Sequence, residues 1–217
     1  MIVSALVIGV AAWALNAHRM LMNVSADGSL PPEPYNWLHP PPALAGSNGS
    51  PQSGKVILPL RKGRSRAGYG FTGDGQAGIV AKSGTFQASS QAKTVQVLIK
   101  PVEEPGQLPG QLLPDGNAYS LVATEHPGGR RSRVGGGLTV VFRFPYAPTG
   151  VYLYRRGSWH RVCGTGQAVI TPTTISCSTS ALGTFLVVHA PAGKGGPLLG
   201  HITGRPVTAQ NNPRATI

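Results

Sequence analysis

KTVQVLIKP, Lys93 to Pro101, alternates with a period of two: Val95, Val97 and Ile99 share one face, and Thr94, Gln96 and Leu98 the other. Successive side chains on a strand point to opposite faces, so this spacing predicts a half-buried strand and not a helix. GLTVVFRF, Gly137 to Phe144, repeats the pattern, with Val140, Phe142 and Phe144 inward and Thr139, Val141 and Arg143 outward. Working outward, QAGIVAK (76–82), NAYSLVAT (117–124), GVYLYR (150–155), SWHRVC (158–163), QAVIT (167–171), TISCSTS (174–180) and GTFLVVH (183–189) follow at short, even spacing. Gly, Pro or Asn-type turns separate them. No amphipathic helical stretch interrupts the series. It predicts an all-β chain, an antiparallel immunoglobulin-like β-sandwich of about 7–9 strands over residues 74–190.

A different composition precedes it. Met1 to Leu15 carries no charge and no proline, and Asn16, His18 and Arg19 break the run before Met20 to Met22. Residues 1–22 are expected to form one hydrophobic helix, a transmembrane anchor or a cleaved signal segment, with a buried soluble helix as the remaining alternative. That segment implies a membrane location with the bulk of the chain extracytoplasmic. Residues 23–73 hold PPEPYNWLHPPPALAGSNGSPQSG and a basic run, which read as an extended, polyproline-like stalk. Tyr35, Trp37 and Leu38 within it either fold back on the domain or sit at a membrane interface. Residues 191–217 lack a sustained period and are expected to be a disordered tail.

Composition narrows the function classes. Glycine and proline supply 30 and 20 of the 217 residues, so turns must be abundant. Lys and Arg outnumber Asp and Glu by 19 to 7, a net charge of +12 that attracts anionic surfaces or simply keeps a glycine-rich domain soluble. Acids are too few for a general acid–base pair to be visible. Glu103 and Glu104 are neighbours between Pro101 and Pro105, in a loop, and Gly-x-Ser-x-Gly is absent. His160 and Cys163 fall on opposite faces of a strand and cannot share an ion, while His18, His39, His126, His189 and His201 stand alone. No catalytic, cofactor-binding or metal site is expected, so the chain is read as a non-enzyme.

Two cysteines remain. Cys163 and Cys177 lie in consecutive strand-like runs, and a hairpin centred near Val169 to Thr171 would set them opposite each other at disulfide distance. The alternative is two unrelated buried thiols. Trp159 opens its strand, and alternation places it with Arg161 and Cys163, buried against a facing sheet, or else exposed as an aromatic–cationic contact with Arg155, Arg156 and Arg161.

The order of short motifs is Gly84 and Phe86, Leu108-Pro109, Gly116 with Tyr119 and Leu121, Val140-Phe142-Phe144-Pro145, Trp159 with Val162, and Phe185 with Val187. This order resembles the β-sandwich modules of bacterial surface proteins loosely related to ZU5-type domains. The resemblance spans about half the chain, from Asp74 to His189, and implies a sandwich fold. The cysteine pair, and the lack of His-Phe-Ser before the last strand, depart from that pattern. The apolar start followed by PPEPYNWLHPPP is similar to uncharacterised membrane-tethered bacterial proteins, which bring no activity or functional residues to carry over.

Three patterns imitate nucleotide or RNA motifs. GSPQSGKV (49–56) has Val56 where a P-loop needs Ser or Thr, and VILPL follows where a helix should. Gly68, Gly70 and Gly73 have dinucleotide spacing, but a basic run precedes them and no helix follows. AGYGFTGD fails the RNA signature at both ends, with Ala67 and Asp74. RKGRSRAGYGF nonetheless sets cations beside Tyr69 and Phe71, a chemistry suited to anionic chains. Two functions therefore stand. One is a membrane-tethered structural or docking module for other envelope proteins. The other binds an anionic polymer (cell-wall polymer, lipid headgroups or nucleic acid) through Arg61, Lys62, Arg64, Arg66, Arg130, Arg131 and Arg133.

Overall fold

Alternating apolar residues do become strands. The computed structural model describes residues 34–170 and 173–191. Two compact units divide the chain, Met1–Tyr35 and Asn36–Ile217, and of the first only Pro34 and Tyr35 are described. The anchor helix expected over 1–22, and the tail expected over 191–217 apart from Pro191, fall outside the described residues. Among the described residues no helix is long and apolar enough to cross a membrane.

Among the described residues fifteen strands follow one 3-10 helix, Pro42–Ser47. They are β1 Gly54–Arg61, β2 Arg64–Ser65, β3 Gly68–Phe71, β4 Ala77–Ala81, β5 Phe86–Gln87, β6 Thr94–Val102, β7 Leu113–Pro114 and β8 Ala118–His126. Then come β9 Arg133–Val134, β10 Leu138–Arg143, β11 Gly150–Arg155, β12 Ser158–Gly164, β13 Val169–Ile170, β14 Thr174–Thr179 and β15 Gly183–His189. One sheet runs β12-β11-β15-β8-β6-β1-β2-β5-β9, with β7 beside β15; the other runs β13-β14-β10-β4-β3. Every pairing is antiparallel. At one end the first sheet curls on itself, because Arg131 bridges Thr124 on β8 and Ser132 N–H donates to the Ala123 carbonyl.

The two inner faces make the core. Val95, Val97 and Ile99 are fully buried, as their spacing predicts, and meet Ile79, Leu138, Val140, Phe142 and Ile175 from the other sheet. Phe144, expected inward, is half-buried at the margin of this cluster. Tyr119, Phe142 and Phe185 stack in sequence at centroid distances of 6.1 and 6.0 Å. Each such side chain contributes about 1.5–3 kcal/mol by leaving water.

Three expectations are corrected. The stalk boundary is the first. β1 to β3 all lie inside the span assigned to the stalk, yet β1 pairs with β6 from Gly54↔Ile99 to Pro59↔Thr94. Its alternating Val56 and Leu58 are buried in the core. Pro42–Ser47 is a 3-10 turn and not extended chain, and the fold-back alternative for Trp37 and Leu38 holds. Leu38 N–H donates to Asn117 Oδ1 at 2.7 Å, Asn117 Nδ2 donates to the Asn36 carbonyl at 2.7 Å, and the Trp37 ring lies 6.1 Å from Tyr146.

The second concerns the disulfide. Cys163 and Cys177 are bonded, Cα–Cα 6.1 Å, but not across a hairpin. β13 pairs with β14 through Ile170↔Ile175, while Cys163 sits opposite Val151 and Cys177 opposite Val140, so the bond joins the two sheets.

The third concerns Trp159. It is buried but faces away from Cys163, because the β11–β12 register shifts between Val151 and Tyr152 and leaves Val162 without a partner. One extra residue reverses the face of everything beyond it. Trp159 packs with Ala118, Leu186, Val188 and Tyr154 on the outer side of the first sheet, under the 103–114 crossover, and donates from Nε1 to the Gly106 carbonyl at 2.9 Å.

Replacing both cysteines by Ser is expected to lose about 3 kcal/mol, from the loop entropy released in the unfolded chain; equal denaturant midpoints for the two forms would refute that role. Trp159→Ala should cost about 3 kcal/mol and open the 103–114 crossover to protease, whereas Trp159→Phe keeps one aromatic ring and should cost less, about 1–2 kcal/mol, for the smaller side chain and the lost hydrogen bond.

Candidate functional site

Hairpin geometry gathers charge at one end of the domain. The β1–β2 turn, the N-terminus of β6, the C-terminus of β8 and the β11–β12 turn share that end, as the registers Pro59↔Thr94, Thr94↔His126, Gly183↔Leu121 and Tyr154↔Thr184 require. Leu138, Ala81, Gly68 and Thr179 mark the same end of the second sheet. Gly68 lies there against Leu58, and Arg66 N–H donates to the Pro59 carbonyl.

Every sequence-predicted contact residue falls at this end and is exposed: Arg61, Lys62, Arg64, Arg66, Arg130, Arg131 and Arg133. The two clusters, far apart in the chain, meet through β5. Arg64 pairs with Gln87, and Gln87 with Arg133, so the two arginines stand two strands apart, about 10 Å, in one row. Four more cations lie here, of which sequence reasoning passed over Lys82 and Lys93 and grouped Arg155 and Arg156 with Trp159 instead. Lys82 follows β4, Lys93 precedes β6, and Arg155 and Arg156 enter the β11–β12 turn.

Acids are placed elsewhere. Of the five described, Asp74, Glu103, Glu104 and Asp115 lie toward the opposite end, where Asn36 enters and His189 leaves. Asp74 is absorbed by local bonds from Thr72 Oγ1, Gln52 N–H and Gln76 N–H. Glu103 pairs with His39 at 2.6 Å. Glu125 is the exception at the cationic end. Its Oε2 accepts from Ser89 Oγ at 2.6 Å, and this bond, with help from Arg130, holds its carboxyl below the usual range. Among the described residues none of these cations at this end forms an ion pair with a carboxylate, and no group of three or more His, Cys, Asp or Glu could hold a metal.

The neighbourhood of the cations is polar. Among the described residues the exposed large apolar side chains are Leu44, Ile57, Tyr69, Phe71, Val80, Leu98 and Leu113, and none belongs to a turn at the cationic end. Tyr69, 58% exposed, directly follows Gly68 at this end, and Phe71 stands two residues further along β3.

The opposite end is built to receive the chain. Asn117 and Gln76, both buried, grip Asn36: Asn117 takes its carbonyl, and the Gln76 amide accepts from its N–H at 2.9 Å while donating to Asp74 Oδ2 at 2.7 Å. Next to them Asp115 is 1% exposed. Its Oδ1 accepts from Tyr146 N–H at 2.8 Å, and its Oδ2 has no partner. Burial pushes the carboxyl up from 3.8 to about 6, against the pull of that hydrogen bond and of His189.

The chain matches no protein-family model and no curated protein. The site is therefore defined by its own chemistry: a row of unpaired guanidinium and ammonium groups on an all-β scaffold.

A raised pKa in the folded state means that the stability is fully present below about pH 4 and is lost as pH rises through about 6. Asp115→Asn should therefore flatten the fall in unfolding free energy between pH 4 and 7, by about 3 kcal/mol at most. Urea melts across that range would show an unchanged slope if the carboxyl were solvated.

Proposed function

We propose that this protein is a non-enzymatic, membrane-tethered extracytoplasmic module, an immunoglobulin-like sandwich that binds an anionic polymer of the cell envelope through its cationic end. The observation that carries the reading is the segregation of charge. Eleven lysines and arginines, the eleven named above, share one end with one carboxylate, while the other four described carboxylates lie toward the far end.

Surface cations scattered for solubility have no reason to sort in this way. Concentrating them raises the local potential and draws in an extended polyanion. Among the three polymer classes the neighbourhood favours an acidic glycan or phosphate chain. Nucleic acid recognition draws on aromatic stacking, which the turn residues do not supply. A lipid surface draws on inserted apolar side chains, and those are missing from the turns too. The tether rests on the uncharged Met1–Leu15 run, and the likeness to ZU5-type modules on the short motifs of the sandwich. A docking role toward other envelope proteins has no comparable surface feature behind it.

Heparin and polyphosphate are the probes. Affinity for either should fall steeply with salt and drop about three- to tenfold in Arg64→Gln/Arg133→Gln, since each exposed charge pair contributes about 0.2–1 kcal/mol. Binding that is indifferent to both salt and these charges would refute the reading. Equal or tighter binding to single-stranded DNA or to anionic vesicles would redirect it to those partners. An alkaline carbonate wash tests the tether: full-length protein should stay in the membrane pellet, and a chain starting at Ser25 should be released.

A further inference from the structure

We propose that the groove between the β11–β12 turn and the segment after β14 is an oxyanion site that seats one phosphate or sulfate group of the polymer. It rests on the polyanion reading and adds to it the chemical group and the place. The groove has a volume of about 470 Å³. Arg155, Arg156 and His160 line one wall, Ser178 and Ser180 the other, and Leu153 lies beneath, while the Arg161 guanidinium turns toward Gly164 and Gly150 at the far end of the hairpin. No carboxylate borders it.

The first argument is the backbone. Two hairpins at the cationic end close through two residues each, Lys62-Gly63 between the pair Arg61↔Arg64, and Arg156-Gly157 between Arg155↔Ser158. All four central residues have positive φ: 50 and 72° in the first turn, 51 and 83° in the second. Such turns favour Asn, Asp or Gly at the first position, because a side chain with a Cβ is strained there. Lys62 and Arg156 are the two non-glycine residues with positive φ among the described residues. The same local rule is broken twice, each time by a cation and each time at the same end. Strain of this kind persists where the side chain itself is required.

The second argument is the way the walls are held. Val162 directly precedes Cys163, and Ser178 directly follows Cys177, so the disulfide pins the two walls together. A guanidinium is a rigid fork matched to tetrahedral oxyanions, and a serine hydroxyl donates to the remaining oxygens. Arg155 and Arg156, without a counter-charge among the lining residues, repel each other, and a bound oxyanion removes that repulsion.

The experiment is an amide-shift titration of the full chain with inorganic phosphate and sulfate, with acetate at matched ionic strength, alongside heparin binding and thermal unfolding. Shifts centred on residues 155–161 and 178–181 are expected for phosphate and sulfate but not for acetate. Arg156→Asn should raise Tm by about 2–4 °C in the absence of anion, because Asn suits the turn, and weaken phosphate binding about fivefold. Lys62→Asn should raise Tm likewise and leave the groove titration unchanged. A merely structural Arg156 would not pair a gain in stability with a loss of binding. If acetate gave the same shifts, or Arg156→Asn left both binding and Tm unmoved, the groove would be discarded while heparin binding kept the wider reading alive. Phosphate shifts in the groove without heparin binding would do the reverse.

Discussion

One covalent bond decides how the two sheets stand to each other on their far side. On the near side β1 and β3 run together: Gly68 and Gly70 lie against Leu58 and Val56, and backbone bonds at Pro59 and Ser53 pin the strip at both ends. On the far side no backbone ladder connects β12 to β14, and the Cys163–Cys177 bond takes that role. The core between them is made of medium-sized side chains with three stacked rings, so its thickness depends on the sheets being held at both margins. The groove next to the bond inherits its width from the same constraint.

The ends of the sandwich have opposite characters, and the topology explains why. Turns that join neighbouring strands cluster at one end, where short connections expose their side chains and can be loaded with charge at little cost to packing. The other end carries the long connections, and there buried amides such as Asn117 and Gln76 satisfy the backbone of an incoming segment that has no ladder of its own. Asp115 belongs to that end. Its unpartnered oxygen is tolerated because its other oxygen fixes the loop at Tyr146, whose ring lies 5.2 Å from His189 and 6.1 Å from Trp37.

Period-two spacing made the longer strands from 77 to 189 legible, though not the two-residue strands β5, β7 and β9, and it named the buried faces of β6 and β10 correctly. It failed where composition overrode it. VILPL served only to rule out a P-loop helix and stayed in the stalk, yet it forms β1, which over residues 54–59 has a ladder partner on one side alone, where the missing amide proton of Pro59 does little harm. The bond between the cysteines was readable from two strand-like runs, but not its direction. A single bulged residue, Val162, turned Trp159 and Cys163 to opposite faces, and no local pattern marks a bulge. Each basic cluster was visible in the sequence. Their meeting was not, because it depends on two residues of β5 lying between Arg64 and Arg133. Arg155 and Arg156 were linked to Trp159 instead, although the Arg-Gly step at a hairpin turn, matching Lys62-Gly63, was there to be seen.

Asn36 enters the domain at the end opposite the cationic turns, and β1 then runs the length of the sheet toward them. Suppose the chain is held at its start while the turns grip a polymer. The pull then lies along the strand axes, and β1 would have to slide past β6. Sliding loads all the rungs of that ladder together, from Gly54↔Ile99 to Pro59↔Thr94, where peeling would load them one after another. A domain strung in that direction resists tension in shear, so the same arrangement of strands that exposes the charged turns also suits it to carry mechanical load.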